Sequence, residues 1–148
     1  MVLQASCALP LMFPVYHIDG HEYLDGGVAD AIPFERALQE GCDRVIVVLT
    51  RPRDFQRKPD RALKLVEWKY RKYPEFCQAM KDRAQRYNEC RKRLFQLEEQ
   101  GKILVIAPKT THGVSRTERD KDKLLRLWQE GYNTGMERME EVRSYLRG

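Results

Sequence analysis

The residues of this chain best suited to chemistry lie in Tyr23-Leu24-Asp25-Gly26-Gly27-Val28, followed closely by Ala31-Ile32-Pro33-Phe34. The stretch reads as a strand ending in a carboxylate, a two-glycine turn and a helix start. With Gly26 and Gly27 beside it, Asp25 can be approached closely by another backbone or by a ligand. A serine hydroxyl at neutral pH needs a base within hydrogen-bond reach, and an Asp whose solvation is controlled can be that base. Taken alone, Asp-Gly-Gly is more simply a turn; its surroundings reverse that balance. No Gly-x-Ser-x-Gly nucleophile turn occurs in the 148 residues, and Ser6, Ser115 and Ser144 stand in no such setting. No nucleophile is therefore assigned.

Other reactive side chains point to less. His17 and His21 fall in a predicted hairpin and His112 in a loop, where a surface histidine is the simpler reading. No second ligand follows any of them at helical or turn spacing, so no metal site is expected. Cys7, Cys42, Cys77 and Cys90 are scattered without metal-ligand spacing, as reduced thiols in a cytoplasmic protein would be.

The elements that must position Asp25 follow from punctuation and periodicity. Val15-Tyr16-His17-Ile18 and His21-Glu22-Tyr23-Leu24 flank Asp19-Gly20, a pair that accepts the positive φ of a tight hairpin turn. Pro33 suits the first turn of a helix over 34–40, and Gly41 its C-terminal cap. Residues 44–49, with the run Val45-Ile46-Val47-Val48-Leu49, predict a strand buried on both faces, as in a parallel sheet. An Arg-rich loop at 50–59 precedes two helices. The first carries Leu63, Val66, Tyr70 and Tyr73. Pro74 breaks it and opens the second, whose stripe is Cys77, Met80, Ala84, Tyr87, Arg91, Leu94 and Leu97. Lys81, Arg83, Arg86, Lys92 and Arg93 are expected largely off that stripe. Ile103-Leu104-Val105-Ile106 predicts a second buried strand. A single long helix is expected from about 118 to 146, with Leu124, Leu125, Trp128, Tyr132, Met139, Val142 and Leu146 on its apolar face.

Charge is unevenly spread. The chain carries a formal net charge of +5, yet residues 51–93 hold 15 Lys/Arg against 6 Asp/Glu. This basic helical pair is either a solvated face or an attraction to an anionic surface, at about 1 kcal/mol per Lys or Arg. On the second reading Arg83, Arg86, Arg91 and Lys92 meet acidic headgroups, and Trp68, Tyr70 and Tyr73 fit an interface and a core position equally. Nothing matches a nucleic-acid recognition module, so nucleic acid is not expected as a partner. With 42% hydrophobic residues, a core is affordable, but no apolar run approaches a membrane span.

The ordered set Ala5-Ser6-Cys7-Ala8-Leu9-Pro10, Phe13-Pro14, Gly20, Tyr23-Leu24-Asp25-Gly26-Gly27-Val28 and Ile32-Pro33 resembles the patatin-like phospholipases. It is most similar to the bacterial patatin-like esterases, in which a strand like 44–49 ends in a Thr-Arg/Asn-Pro similar to Thr50-Arg51-Pro52. The similarity covers residues 5–52, with a weaker tail match at 103–108 and at Gly131-Tyr132. The resemblance implies a serine acyl hydrolase with a Ser–Asp dyad, no histidine and no cofactor. Asp25 falls on the dyad aspartate, which orients the serine and accepts its proton, and Gly26 and Gly27 fall on the glycines that follow it. The family's oxyanion loop and serine elbow lie N-terminal to this region and have no counterpart in the chain.

The expected fold is α/β: a partial patatin-like parallel sheet with a β-hairpin and a helical pair, forming an incomplete domain. Residues 1–52 would be a core segment carrying the dyad aspartate, 53–100 a basic helical region, and 101–148 a final strand and long helix. Two buried strands cannot cover their own faces and edges, so the sheet is expected to be completed by other residues or by another copy, with self-association through the edge at 45–49. The expected function is that of the C-terminal fragment of a serine-dependent lipid acyl hydrolase or esterase, with a lipid or small ester as substrate, inactive alone for lack of the nucleophile. It would work in the cytoplasm, peripheral to a membrane. The alternative is a non-catalytic module that binds anionic lipid or a partner protein.

Overall fold

In the computed structural model, which describes residues 1–115 and 117–148, Asp19 and Gly20 take φ of 50° and 78°. Two positive φ values are what a two-residue turn with the strands' own twist demands. They join β1 (Tyr16–Ile18) to β2 (His21–Tyr23) in an antiparallel hairpin that pairs Tyr16 with Tyr23, His17 with Glu22 and Ile18 with His21. A short helix, α1 (Val2–Ser6), precedes it.

The chain folds as two compact units, residues 1–33 with 57–92, and 34–56 with 93–148. The core of the first is Val28, Val66, Tyr70, Cys77 and Met80, packed by Leu11, Val15, Leu24, Leu63, Phe76 and Ala79. Its helices are α3 (Leu63–Lys69) and the start of α4 (Pro74–Glu99). Pro74 opens α4 as expected, because a first-turn residue needs no N–H partner. Cys77, Met80, Ala84, Arg91 and Leu94 of the predicted stripe are buried.

The second unit holds α2 (Phe34–Gln39), closed by Gly41 at φ 84°, and β3 (Ile46–Val48) parallel to β4 (Leu104–Ile106). Tyr145 ties this pair to the chain's end: its hydroxyl accepts the Val45 N–H at 3.2 Å and donates to the Lys102 carbonyl at 2.9 Å. The expectation that β3 is buried on both faces is corrected. Val45, Val47 and Leu49 are buried, but Val48 on the opposite face is 69% exposed. Ile46 on that same face is half-buried, and Leu104 and Val105 of β4 are both buried.

The single C-terminal helix is likewise corrected to two, α5 (Lys121–Glu137) and α6 (Met139–Arg147), broken at Arg138. Asp120 caps α5, accepting from the N–H groups of Asp122 and Lys123. Gly131 and Gly135 weaken the last turns of α5 before the break. The apolar face of α5 is directed outward: Leu125, Trp128, Tyr132 and Met136 are each more than half exposed. Among the described residues, no helix is long and apolar enough to cross a membrane.

Candidate active site

Asp25 leaves β2 and enters a single 3₁₀ turn, Gly26–Val28. Its backbone N–H donates to the Ala8 carbonyl at 2.9 Å, and its carbonyl accepts from Val28 at 3.1 Å. Its carboxylate Oδ1 accepts the Gly27 N–H at 2.7 Å and so caps the turn. Arg83 Nη2 stands 4.0 Å from the same oxygen, and both side chains are largely buried, at 9% and 17% exposure. The carboxylate is thus held in one place by a backbone donor and faced by a cation.

The two glycines serve different ends. A Cβ on Gly27 would fall 2.8 Å from Asp25 Oδ1 and 3.5 Å from Arg83 Nη2. Only a residue without a side chain lets that carboxylate sit over its own N–H. A Cβ on Gly26 would meet Ser6 Oγ at 3.7 Å, an ordinary contact. Gly27→Ala is therefore expected to push the carboxylate aside and leave the far-UV spectrum unchanged, whereas Gly26→Ala is tolerated. Ester hydrolysis by the longer protein proposed below, compared with circular dichroism of both variants, checks this.

The arginines expected at an anionic surface have a different place. Arg83 is buried, and its Nε donates to the Gly27 carbonyl at 2.9 Å. Arg86 donates to the Val28 carbonyl at 3.0 Å, to Ala29 at 3.5 Å and to Ala79 at 2.8 Å. Together they clamp the carbonyls of the turn that follows Asp25. Arg91 is 2% exposed, with its guanidinium 5.8 Å from the Tyr87 ring. Of the four, Lys92 alone is both exposed and outside this packing. The surface expectation for Arg83 and Arg91 is corrected: both side chains are buried in this chain, Arg83 with its Nε on the Gly27 carbonyl and Arg91 against the Tyr87 ring.

This clamp was legible in part. Arg83 lies four residues before Tyr87 and eleven before Leu94, so it shares their face of the helix. Its charge argued for solvent, and the turn's unpaired carbonyls outweighed that preference.

The remaining candidates lie apart from this arrangement. Ser6 Oγ is beside Gly26, but Asp25 accepts from backbone. Ser115 and Ser144 belong to the second unit. His17 meets Glu22 at 3.2 Å on the exposed hairpin, His21 packs edge-on to Tyr23, and His112 takes φ 50° in its loop. The four cysteines are free, with Cys77 buried and donating to the Tyr70 carbonyl at 3.4 Å. Among the described residues, no three His, Cys, Asp or Glu side chains gather as a metal site would need.

Comparison with known proteins matches two separate stretches of the chain. Residues 1–38, which carry Asp25, Gly26 and Gly27, match the model of the patatin-like phospholipase family. Over 68 residues the chain is 32% identical to the uncharacterized protein YjjU of Escherichia coli (strain K12). That alignment takes in 45% of this chain and 19% of YjjU, so the matched stretch spans about a fifth of that relative. Residues 73–147, just over half of the chain and the source of both clamping arginines, match a domain of unknown function, DUF6363. The chain belongs to the DUF6363 family.

Proposed function

We propose that this chain is the C-terminal part of a serine-dependent lipid acyl hydrolase, with Asp25 as the base of a Ser–Asp dyad whose serine lies upstream. In that reaction the serine oxygen attacks the ester carbonyl as its proton passes to Asp25. The alcohol leaves with that proton, and water then hydrolyses the acyl-serine by the same route. The observation that carries the reading is the Asp25 carboxylate itself. It is largely buried, fixed by the Gly27 N–H and faced by Arg83, inside the stretch that matches the patatin-like phospholipases.

Two features support an upstream part. The chain has no Gly-x-Ser-x-Gly turn, and β3 leaves the apolar side chain of Val48 exposed on one face. In the longer protein that face and the sheet edges would be covered by further strands, giving a patatin-like α/β domain. Such an enzyme would act in the cytoplasm on lipid at a membrane surface. The non-catalytic reading loses ground because Arg83 and Arg86 serve the turn beside Asp25.

Hydrolysis of a short-chain p-nitrophenyl ester tests the proposal, with this chain measured beside a version extended upstream through a serine elbow. Activity in the extended protein alone is the expected result. Activity in the short chain would overturn the assignment of the nucleophile, and silence in both would overturn the hydrolase. In isolation the chain is expected to self-associate through its sheet edge. Sedimentation should give a mass that rises with concentration, and Val48→Lys should suppress the rise; a monomer at every concentration would contradict this.

A further inference from the structure

The hairpin and the α3–α4 segment line an open cavity of about 130 Å³ in the first unit. Four aromatic rings line it, those of Tyr23, Tyr70, Tyr73 and Phe76, with Val15 and Leu24 between them and Glu22 as its one charged group. We propose that this cavity binds a quaternary ammonium group, the headgroup chemistry of choline.

Ring faces carry negative electrostatic potential and attract a cation, most strongly one that sheds its water easily. A methylated ammonium does so, since it has no N–H to satisfy. A primary ammonium brings three donors. The lining offers those donors one carboxylate, Glu22, whose Oε2 already accepts from the Tyr73 hydroxyl at 2.6 Å and whose Oε1 lies 3.2 Å from His17 Nε2. Glu22 still supplies the neutralising charge. Its bond to Tyr73 fixes that ring at the rim and holds the phenol above its ordinary pKa, so it stays neutral. The inner wall is preset too. Tyr70 is 4% exposed, its ring centroid is 4.9 Å from that of Phe76, and its oxygen accepts the Leu11 N–H at 3.2 Å. The Lys69 ammonium stands 5.5 Å from the Tyr70 ring, an internal instance of the same attraction, and Lys69 does not line the cavity. In size the cavity is near the roughly 150 Å³ that accepts a benzene-sized guest. One compact group fits it.

Leu24 of the lining directly precedes Asp25. A headgroup held there would lie one residue along the chain from the proposed base. This names a substrate class for the hydrolase and rests on that reading only for the source of the ammonium group, since binding needs no nucleophile.

The test is a calorimetric titration of this chain with tetramethylammonium and phosphocholine, against phosphoethanolamine and glycerol phosphate. Saturable binding of the two methylated ligands is expected, at least tenfold tighter than either control, and weakened roughly tenfold by Tyr23→Ala and by Glu22→Gln. Vesicles of phosphatidylcholine and of phosphatidylglycerol identify the source. Capture by the first alone assigns a lipid headgroup; binding of phosphocholine without vesicle capture assigns a soluble ligand. No saturable binding, equal binding of phosphoethanolamine, or indifference to both substitutions would overturn the proposal. Loss of ester hydrolysis would leave it standing.

Discussion

Asp25→Asn should abolish ester hydrolysis by the longer protein while leaving the fold intact. An amide oxygen can still accept the Gly27 N–H that now caps the turn at 2.7 Å, so the local backbone keeps its partner. What is lost is the ability to take a proton. Replacing an acidic partner of this kind costs roughly ten-thousand-fold in kcat. Asp25→Ala removes the cap as well, at about 1 kcal/mol of stability. The pair is informative because the two variants share the kinetic defect and differ in melting temperature. Steady-state kinetics beside thermal unfolding reads both. An Asp25→Asn protein that keeps more than a tenth of its activity would end the role given to this residue.

Arg83→Met should destabilise the chain by about 1.5–3 kcal/mol, the range for a hydrogen bond to a charged group. The methionine fills much the same space but leaves the Gly27 carbonyl without its donor and Asp25 without its facing cation. Arg83→Lys should restore little, because one ammonium cannot present two donors in a planar fork. Lys92→Met, on an exposed site of the same helix, should stay within 0.5 kcal/mol. In the longer protein the Arg83 variants should lower kcat with little change in KM, as expected of a residue that positions the base and does not touch the substrate. Denaturant unfolding and the kcat-against-KM split measure the two effects independently. Equal stability of Arg83→Met and Lys92→Met would refute the clamp.

Local signals were the most legible. Asp19-Gly20 specified the hairpin because few dipeptides accept two positive φ values, and Pro74 specified the start of α4 because a helix accepts proline there. The run around Val47 and the Ile103-Leu104-Val105-Ile106 run gave strands, and they pair in parallel. What sequence could not supply was the direction in which a side chain turns when two rules compete. Arg83 and Arg86 are charged and sit in the most basic stretch of the chain, which argued for solvent. Arg83 is buried and Arg86 stays exposed, yet both reach the 3₁₀ turn after Asp25, which ends in carbonyls that no helix continues to satisfy. The outward apolar face of α5 has the same lesson in reverse. Trp128 and Tyr132 stack on each other, ring centroids 5.6 Å apart, and remain exposed. Periodicity finds an apolar face but does not say what covers it.

At the site, Asp25, Gly26 and Gly27 were legible as a unit because a carboxylate followed by two glycines is a specific demand on the backbone. The clamp was legible only in the helix face that Arg83 shares with Tyr87 and Leu94; its partners were not, since they lie more than fifty positions away. It also joins the stretch that matches the patatin-like phospholipases to the stretch that matches DUF6363. A physical role for α4 follows: it supplies the donors that hold the Asp25 turn.

The measurement that bears most directly on this account is covalent labelling of the longer protein with a fluorophosphonate, with the modified residue located by mass spectrometry. The account predicts a single fast label on a serine upstream of residue 1, slowed by several orders of magnitude in Asp25→Asn, and no label on this chain alone. A label on Ser6, Ser115 or Ser144, or a labelling rate indifferent to Asp25, would contradict it.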